Sequence, residues 1–388
     1  MRIVLALEYP LMQQGGTEVL VRELVLSLSR DTEVVLVSGD KSVKDLPLEY
    51  QQAIHSHLSW EYRSDLPRAK ALAQDLANLK PDIAHFHFGG TFEWSSNRFG
   101  RCPVLQLARL GIPCVTTNHL ANDWLDCGVH PDRPIAYKWA AQFYAWVSRA
   151  QLYQRLGWEV CVSKHDQARM HRMFPIFRGK IIQRYHSLLP GDAPPPELNN
   201  REPAIICVGT IGGRKAQPLL ADAFAAIAAK HPAWRLDLIG RTGYEADAAR
   251  VKQITAQNKL EGRINLCGRL SDEETLSRMK SASIFAMPSL AEGLGLSLQE
   301  ALFHGCVAVG SRVGGIPELI DDNTNGLLVP AGDVPALSAA LDRVMSDSAL
   351  LGRLRAEARP SIVRKGMTAP AMVDAYRELY RGVTQRDE

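Results

Sequence analysis

The residues best suited to chemistry lie in one run, Pro288-Ser289-Leu290-Ala291-Glu292-Gly293-Leu294-Gly295-Leu296-Ser297-Leu298-Gln299-Glu300-Ala301-Leu302. It follows an apolar stretch at residues 284–287 and is expected to open a helix near Leu296. Gly293 and Gly295 let backbone approach a ligand closely. Unpaired amides at a helix start favour an anion such as phosphate. Glu292 falls in the loop, and Glu300 falls about one turn into the helix. A carboxylate accepts strong hydrogen bonds from hydroxyls. Two carboxylates flanking an anion-binding turn therefore suit a ligand with hydroxyls on both sides of a phosphate. Ribose, diphosphate and sugar in a nucleotide sugar have that layout. Two surface glutamates at an ordinary strand–loop–helix junction are the plainer explanation. A lone Gly-x-Gly would leave that explanation in front, and the combination does not.

A second cluster, Val208-Gly209-Thr210-Ile211-Gly212-Gly213-Arg214-Lys215, directly follows the apolar run 204–208. Two adjacent cations in a glycine-rich turn suit a diphosphate, arginine binding as a fork and lysine as a point charge. Such pairs are also common on solvated turns. A third cluster, Gln14-Gly15-Gly16-Thr17-Glu18, sits between the first apolar run and the first helical stretch. Thr17 there could cap the helix or meet a ligand. The cluster is not the six-residue glycine fingerprint of a dinucleotide domain, which weakens a dehydrogenase reading. His119 follows the run 114–117. His85 and His87 alternate along residues 83–88 and are expected to face opposite sides of the strand, with His87 nearer the carboxyl edge and able to reach an acceptor. The histidines and cysteines show no metal-ligand spacing, so no metal site is expected.

The elements that must position these residues repeat one theme, a short β-rich apolar run followed by a helical stretch. Runs at 3–7, 34–37, 83–88, 114–117 and 160–163 make up the first half. Runs at 204–208, 236–239, 264–267, 284–287, 307–309 and 327–329 make up the second. Continuous apolar runs alternating with helices imply parallel sheets buried on both faces. The theme breaks at Leu189-Pro190-Gly191-Asp192-Ala193-Pro194-Pro195-Pro196, where consecutive prolines exclude a helix interior. The expected class is α/β, with two doubly wound Rossmann-like domains facing across a cleft. Their boundaries are 1–190 for an acceptor-side domain, 191–202 for the linker and 203–365 for a nucleotide-sugar domain. Residues 366–388 form a C-terminal helix crossing back to the first domain, with Met372, Tyr376 and Leu379 on one face.

Composition narrows the partners. A net charge of +3 over 388 residues argues against nucleic acid. The charge is uneven: residues 91–190 hold 13 Lys or Arg against 6 Asp or Glu. Trp60, Trp94, Trp124, Trp139, Trp146 and Trp158 all precede residue 190. A basic, aromatic half could rest on an anionic membrane surface, although rings packed in a core are the plainer account. Seven scattered cysteines without a CxxC fit a reducing compartment. No signal peptide and no run of about 18 apolar residues is visible. The expected location is cytoplasmic, with peripheral contact at the cytoplasmic membrane face through the first domain.

The run from residue 288 resembles the Glu-x7-Glu motif of retaining glycosyltransferases of family 4, which have the GT-B fold. Its continuation also fits: Ala301-Leu302-Phe303-His304-Gly305-Cys306, then Gly314-Gly315-Ile316-Pro317-Glu318, then Asn325-Gly326-Leu327-Leu328-Val329. The resemblance implies that Glu292 contacts the hydroxyls of the donor sugar and that Glu300 holds the ribose. Gly293, Leu294, Gly295 and Leu296 would present amides to the sugar and the distal phosphate. Lys215 matches the family's lysine for the leaving diphosphate. Many members carry arginine where this chain has Thr210, and Arg214 is the candidate replacement. Gly15, Gly16 and Thr17 resemble the family's N-terminal Gly-Gly loop, and His119 resembles its active-site histidine. Arg269 and Leu270, just beyond the run 264–267, complete the expected substrate-binding set. Tyr185-His186-Ser187-Leu188-Leu189 departs from the family's Asn-Gly-Val-Asp-like stretch.

The expected activity is therefore transfer of a hexosyl unit from a UDP- or GDP-linked sugar to an acceptor hydroxyl, with retention. It would need neither metal nor other cofactor and would serve glycan, glycolipid or glycoconjugate synthesis. The acceptor is a carbohydrate, a lipid-linked species or a small molecule, met by Tyr9, residues 89–97 and residues 120–133. Competing readings are a phosphorylase or nucleotide-sugar epimerase of the same fold, or a non-catalytic nucleotide-sugar-binding protein.

Overall fold

A computed structural model describes residues 1–13, 15–60, 66–88, 102–119, 134–191 and 201–384. The chain divides into two compact units, Met1–Leu188 with Ala369–Glu388, and Leu189–Thr368. Most of the expected linker, residues 192–200, lies outside the described residues.

The first unit is built on seven parallel strands: β1 (Arg2–Leu7), β2 (Glu33–Ser38), β3 (Ile54–Ser59), β4 (Ile83–Phe88), β5 (Cys114–Asn118), β6 (Trp158–Cys161) and β7 (Ile181–Gln183). Their spatial order is β3-β2-β1-β4-β5-β6-β7. The second unit has six: β8 (Glu202–Val208), β9 (Arg235–Ile239), β10 (Ile264–Gly268), β11 (Ala282–Met287), β12 (Val307–Ser311) and β13 (Gly326–Val329). Their order is β10-β9-β8-β11-β12-β13. All pairings of β8 and β11 with their neighbours are parallel, as are those of β1 and β4. Both units are thus Rossmann-like, as the alternating pattern implies. Every residue of β11 and β12 is buried, which is why those segments read as unbroken apolar runs.

Every apolar run read from sequence coincides with a strand. Two strands escaped that reading, β3 and β7, which close the two ends of the first sheet. An edge strand is covered less completely, and β3 (IHSHLS) is fully buried only at Ile54. Its sequence therefore lacks the continuous apolar signature. The run expected at 160–163 ends as a strand at Cys161, because Ser163 turns to cap the helix Lys164–Met173, its side chain accepting from the Asp166 amide.

The helix Ala369–Thr384 belongs to the first unit. Met372, Val373, Tyr376, Leu379, Tyr380 and Val383 are buried in one cluster with Ile3 and Leu5 of β1 and Leu20 and Leu24 of the helix Gly16–Leu28. Spacings of three and four residues put those six side chains on one helix face.

In each sheet the strand order reverses at one place, between β1 and β4 and between β8 and β11. Ligands of doubly wound sheets bind beyond the carboxyl ends of the strands at such a reversal. The three glycine-rich clusters of the sequence follow β1, β8 and β11, so the topology delivers all three to those two places.

Candidate active site

The second unit assembles its site from the loops after β8 and β11. Gly295 precedes the helix Leu296–Phe303 with φ 96°, a left-handed conformation that favours glycine. The loop is pressed against the turn at Gly314-Gly315. A Cβ on Gly314 would lie 1.7 Å from the Glu292 carbonyl oxygen, and the Gly315 amide donates to the Gly293 carbonyl at 2.9 Å. The two loops are also tied together. The Leu290 amide donates to the Arg214 carbonyl at 2.7 Å, and Arg214 Nη1 donates to the Ala291 carbonyl at 3.1 Å.

That clamp brings Glu292, Lys215 and Arg214 into one ion cluster. Lys215 Nζ lies 2.7 Å from Glu292 Oε2, and Arg214 Nη1 lies 3.3 Å from Oε1. Glu292 is 9% exposed, Lys215 17% and Arg214 46%, so the cations retain access to solvent while the carboxylate is nearly enclosed. Burial alone would raise the Glu292 carboxyl; Lys215 and then Arg214 outweigh it and hold the group below its ordinary value. Thr210 is half-buried, and its carbonyl accepts from Gln217 Nε2 at 3.1 Å.

Glu300 lies one turn into its helix and is half-buried. Its environment is the opposite of that of Glu292. Burial, with repulsion from Asp272, pushes its carboxyl up to about 7. Asp272 opens the helix Asp272–Ser281, and Arg269 (exposed) and Leu270 (half-buried) precede it. Gly293, Leu294 and Gly295 are buried and Leu296 is half-buried.

In the first unit, Gly15 is the residue before the helix Gly16–Leu28, and no side chain caps that helix. Thr17 lies inside the first turn, so its expected alternative role as a cap is not realised. Glu18 is the residue that sequence reasoning passed over. It is buried, and a Cβ on Gly15 would meet its Oε2 at 2.1 Å, so the carboxylate occupies the space that a side chain at position 15 would take. Burial raises the Glu18 carboxyl.

The expectation that His85 and His87 face opposite sides is wrong. Residues two apart on a strand share a face, and the two rings lie 4.0 Å apart between centroids. They join His119, 5.7 Å from His87, and His186, 5.0 Å from His119. Hydroxyls thread this group. His85 Nδ1 pairs with Tyr380 Oη at 2.6 Å and its Nε2 with Thr117 Oγ1 at 2.7 Å. Thr117 Oγ1 pairs with Tyr376 Oη at 3.2 Å, and that hydroxyl pairs with His186 Nε2 at 2.6 Å. Burial pushes His85 and His119 down to about 3 and His87 and His186 well below their ordinary value. All four rings are therefore neutral. Neither ring nitrogen of His87, nor Nε2 of His119, has a partner among the described residues.

Sequence reasoning found His85, His87 and His119 and missed His186 with the two tyrosines as their partners. The available signal was polarity in the wrong place: histidine and threonine inside buried strands, and two tyrosines four residues apart on a buried helix face. The stretch around His186, which departs from the family pattern, is thus part of this cluster. The expected acceptor-lining segments 89–97 and 120–133 lie outside the described residues. Among the described residues no group of three or more His, Cys, Asp or Glu could hold a metal ion, and no helix is long and apolar enough to cross a membrane. The tryptophans divide. Trp60 is buried, Trp146 and Trp158 are half-buried, and Trp139 is 66% exposed. Trp94 and Trp124 lie outside the described residues.

Comparison with known proteins adds a family to each unit. Residues 14–185 match the model for Glycosyltransferase Family 4, and residues 192–360 match Glycosyl transferases group 1. The chain is 38% identical over 113 residues to the amylovoran biosynthesis glycosyltransferase AmsK of Erwinia amylovora, covering 28% of each chain. It is 31% identical over 152 residues to a GDP-mannose-dependent phosphatidylinositol monomannoside mannosyltransferase of Corynebacterium glutamicum, covering 37% of this chain and 38% of the relative. These matches therefore span well under half of those relatives' lengths. Among solved structures, HepE of Anabaena in complex with UDP superposes with a TM-score of 0.74 at 16% identity, over 98% of this chain and 100% of that one. The chain has the GT-B fold, with glycosyltransferase family sequence in both of its units.

Proposed function

We propose that this chain is a retaining glycosyltransferase that moves a sugar from a UDP- or GDP-linked donor to an acceptor hydroxyl. The observation that carries this is the ion cluster of Glu292 with Lys215 and Arg214 beside the start of the helix Leu296–Phe303. Cations and helix-start amides converge where a doubly wound sheet binds its ligand, and a carboxylate stands among them.

Lys215, Arg214 and the amides of 293–296 stabilise the charge that develops on the departing diphosphate. Glu292 accepts from hydroxyls of the transferred sugar, and Glu300 accepts from the ribose, with Arg269 and Leu270 on the nucleotide side. In the first unit, substrate contacts fall to His119 and to the turn Gly15-Gly16-Thr17. The leaving phosphate itself assists deprotonation of the acceptor, so neither a protein nucleophile nor a metal is needed. The UDP complex of HepE and the GDP-mannose dependence of the mannosyltransferase support a nucleoside-diphosphate donor of one of those two kinds.

The acceptor is a glycan, a lipid-linked species or a small molecule, reached on the cytoplasmic side. The helix Ile135–Tyr153 exposes Ile135, Trp139 and Phe143 at four-residue spacing. Lys164, Arg172 and Arg178 are exposed on the segment that packs against this helix through Trp146 and Phe174. An apolar stripe near cations suits an anionic lipid surface, and salt-sensitive co-sedimentation with anionic vesicles tests that contact.

The donor is tested by a thermal-shift panel of UDP, GDP, ADP and their sugar conjugates. A ligand at about 100 times its Kd stabilises by about 2.7 kcal/mol. A panel without any shift rules the reading out.

A further inference from the structure

The ion cluster in the second unit has an electrostatic consequence for product release. Lys215 Nζ already holds one anionic oxygen, Glu292 Oε2, at 2.7 Å. A phosphate oxygen accepting from the same ammonium would stand about 2.8 Å from it. The two anionic oxygens then lie no more than about 5.5 Å apart. Arg214 is shared in the same way, because its Nη1 lies 3.3 Å from Glu292 Oε1. The cations that should grip a diphosphate are thus half-neutralised by a carboxylate that cannot leave. Ser289, fully buried, points its hydroxyl at Glu292 Oε2 at 3.5 Å, and the Gly314 turn fixes the backbone from behind.

From this geometry we infer that Glu292 is a counter-ion that loosens the hold on the nucleoside-diphosphate product once the sugar has left. The inference rests on the donor reading above and adds a direction to it. With a nucleotide sugar bound, hydroxyls of the sugar donate to the Glu292 carboxylate and offset its repulsion of the phosphates. After transfer those donors are gone and only the repulsion remains. The same side chain therefore favours donor over product. In the empty site its two ion pairs also hold Lys215 and Arg214 where the diphosphate will need them.

The size of the effect follows from Coulomb's law. At an effective dielectric of about 20, a unit charge about 5.5 Å away changes a binding constant on the order of 100-fold. Water reaching Arg214 and Lys215 reduces this, so about ten-fold is the floor.

The test is calorimetric titration of the full chain and its Glu292→Gln and Glu292→Asp variants. The probes are UDP, GDP, UDP-glucose and GDP-mannose, and circular dichroism confirms the fold of each variant. Glu292→Gln should bind the nucleoside diphosphate about ten-fold more tightly or better. The matching nucleotide sugar should gain less, because it also loses the hydroxyl contact. Glu292→Asp keeps the charge and should stay near the wild-type product affinity. A purely packing role predicts that the aspartate variant behaves like the glutamine variant, which would overturn the inference. So would unchanged or weaker product binding in Glu292→Gln, or an equal gain for product and donor. In each of those cases the wild type still binds its donor, so the donor reading stands. A wild type that binds none of the four probes overturns both.

Discussion

The two units place chemistry at the same point of the same kind of sheet and solve the burial of polar groups in opposite ways. In the second unit, Glu292, Lys215 and Arg214 stay charged because they neutralise one another, with Arg214 still 46% exposed. In the first, four histidine rings lie together, His85, His87 and His186 buried and His119 half-buried. Burial drives off the proton, and hydroxyls of Thr117, Tyr376 and Tyr380 pair with His85 and His186. A charged cluster suits a charged ligand group, which in the proposed reading is the diphosphate. A neutral imidazole both donates and accepts, as a sugar hydroxyl does. The difference also sets how each unit responds to pH and to mutation.

Acid gives the largest expected effect. His85 and His119 titrate at about 3 in the folded chain, against 6.5 ordinarily, and His87 and His186 are displaced the same way. Between those values the unfolded chain binds more protons than the folded one. Stability therefore rises with pH, is complete above 6.5 and drains away as pH falls. Each histidine contributes a slope of about 1.4 kcal/mol per pH unit. The first unit should lose its structure well before pH 4. Six of the seven tryptophans lie in it, so the emission of those rings reports the loss. Unchanged emission down to pH 4 would show that the rings are not held neutral.

Next in size is Lys215→Ala. Removing one preorganised donor to a developing charge costs on the order of 10²–10³ in turnover. We expect that loss in kcat with the fold retained, at a melting temperature lowered because the nearly enclosed Glu292 carboxylate loses its nearer cation. Near-normal turnover would remove the cation cluster from the mechanism.

Tyr380→Phe probes the neutral cluster in the same spirit. It deletes the hydroxyl on His85 Nδ1 and leaves a buried nitrogen unpaired. Such a loss costs about 1–3 kcal/mol. Hydrogen exchange at β4 and β5 should accelerate accordingly while β8 and β11 are unaffected. Equal acceleration in both sheets would mean that the tyrosine stabilises the chain in some less local way.

The contrast also explains what the sequence could reveal. The second unit's cluster comes from two short runs, 209–215 and 288–300, each following an unbroken apolar run, 204–208 or 284–287, so residue types and spacing were enough to find it. The ion pairing itself was not legible, because it depends on how the Gly314 turn presses one loop against the other. The first unit's cluster draws on residues 85, 87, 117, 119, 186, 376 and 380. No window contains it, and only the return of the helix Ala369–Thr384 to its sheet closes it. The strands were legible wherever they carry an unbroken apolar run, the second sheet's edges β10 and β13 included; β3 was not because histidine and serine interrupt its apolar residues, and β7 was not because it is only three residues long. One error was of reasoning rather than of information: the two-residue period of a strand puts His85 and His87 on one face.

Glu300 gives the smallest expected effect and sharpens the comparison most. It is a carboxylate of the charged unit whose neutral form burial nevertheless favours, as burial does for the histidines of the other, and its carboxyl is pushed up to about 7. Burial and Asp272 both disfavour its ionised form. If the ribose hydroxyls donate to the ionised carboxylate, donor binding requires that the proton leave first. Affinity should then rise with pH through 7 and level off above 8, changing about ten-fold between pH 6 and pH 8. Glu300→Gln should flatten the profile at the weak end. Asp272→Asn removes the like charge and should move the midpoint to lower pH without lowering the plateau. The folded chain holds this proton where the unfolded chain has lost it, so Glu300 should also make the second unit less stable as pH rises from about 4.5 to 7. A donor-affinity profile with no inflection near 7, measured by titration calorimetry, would mean that Glu300 reaches the ribose protonated or not at all.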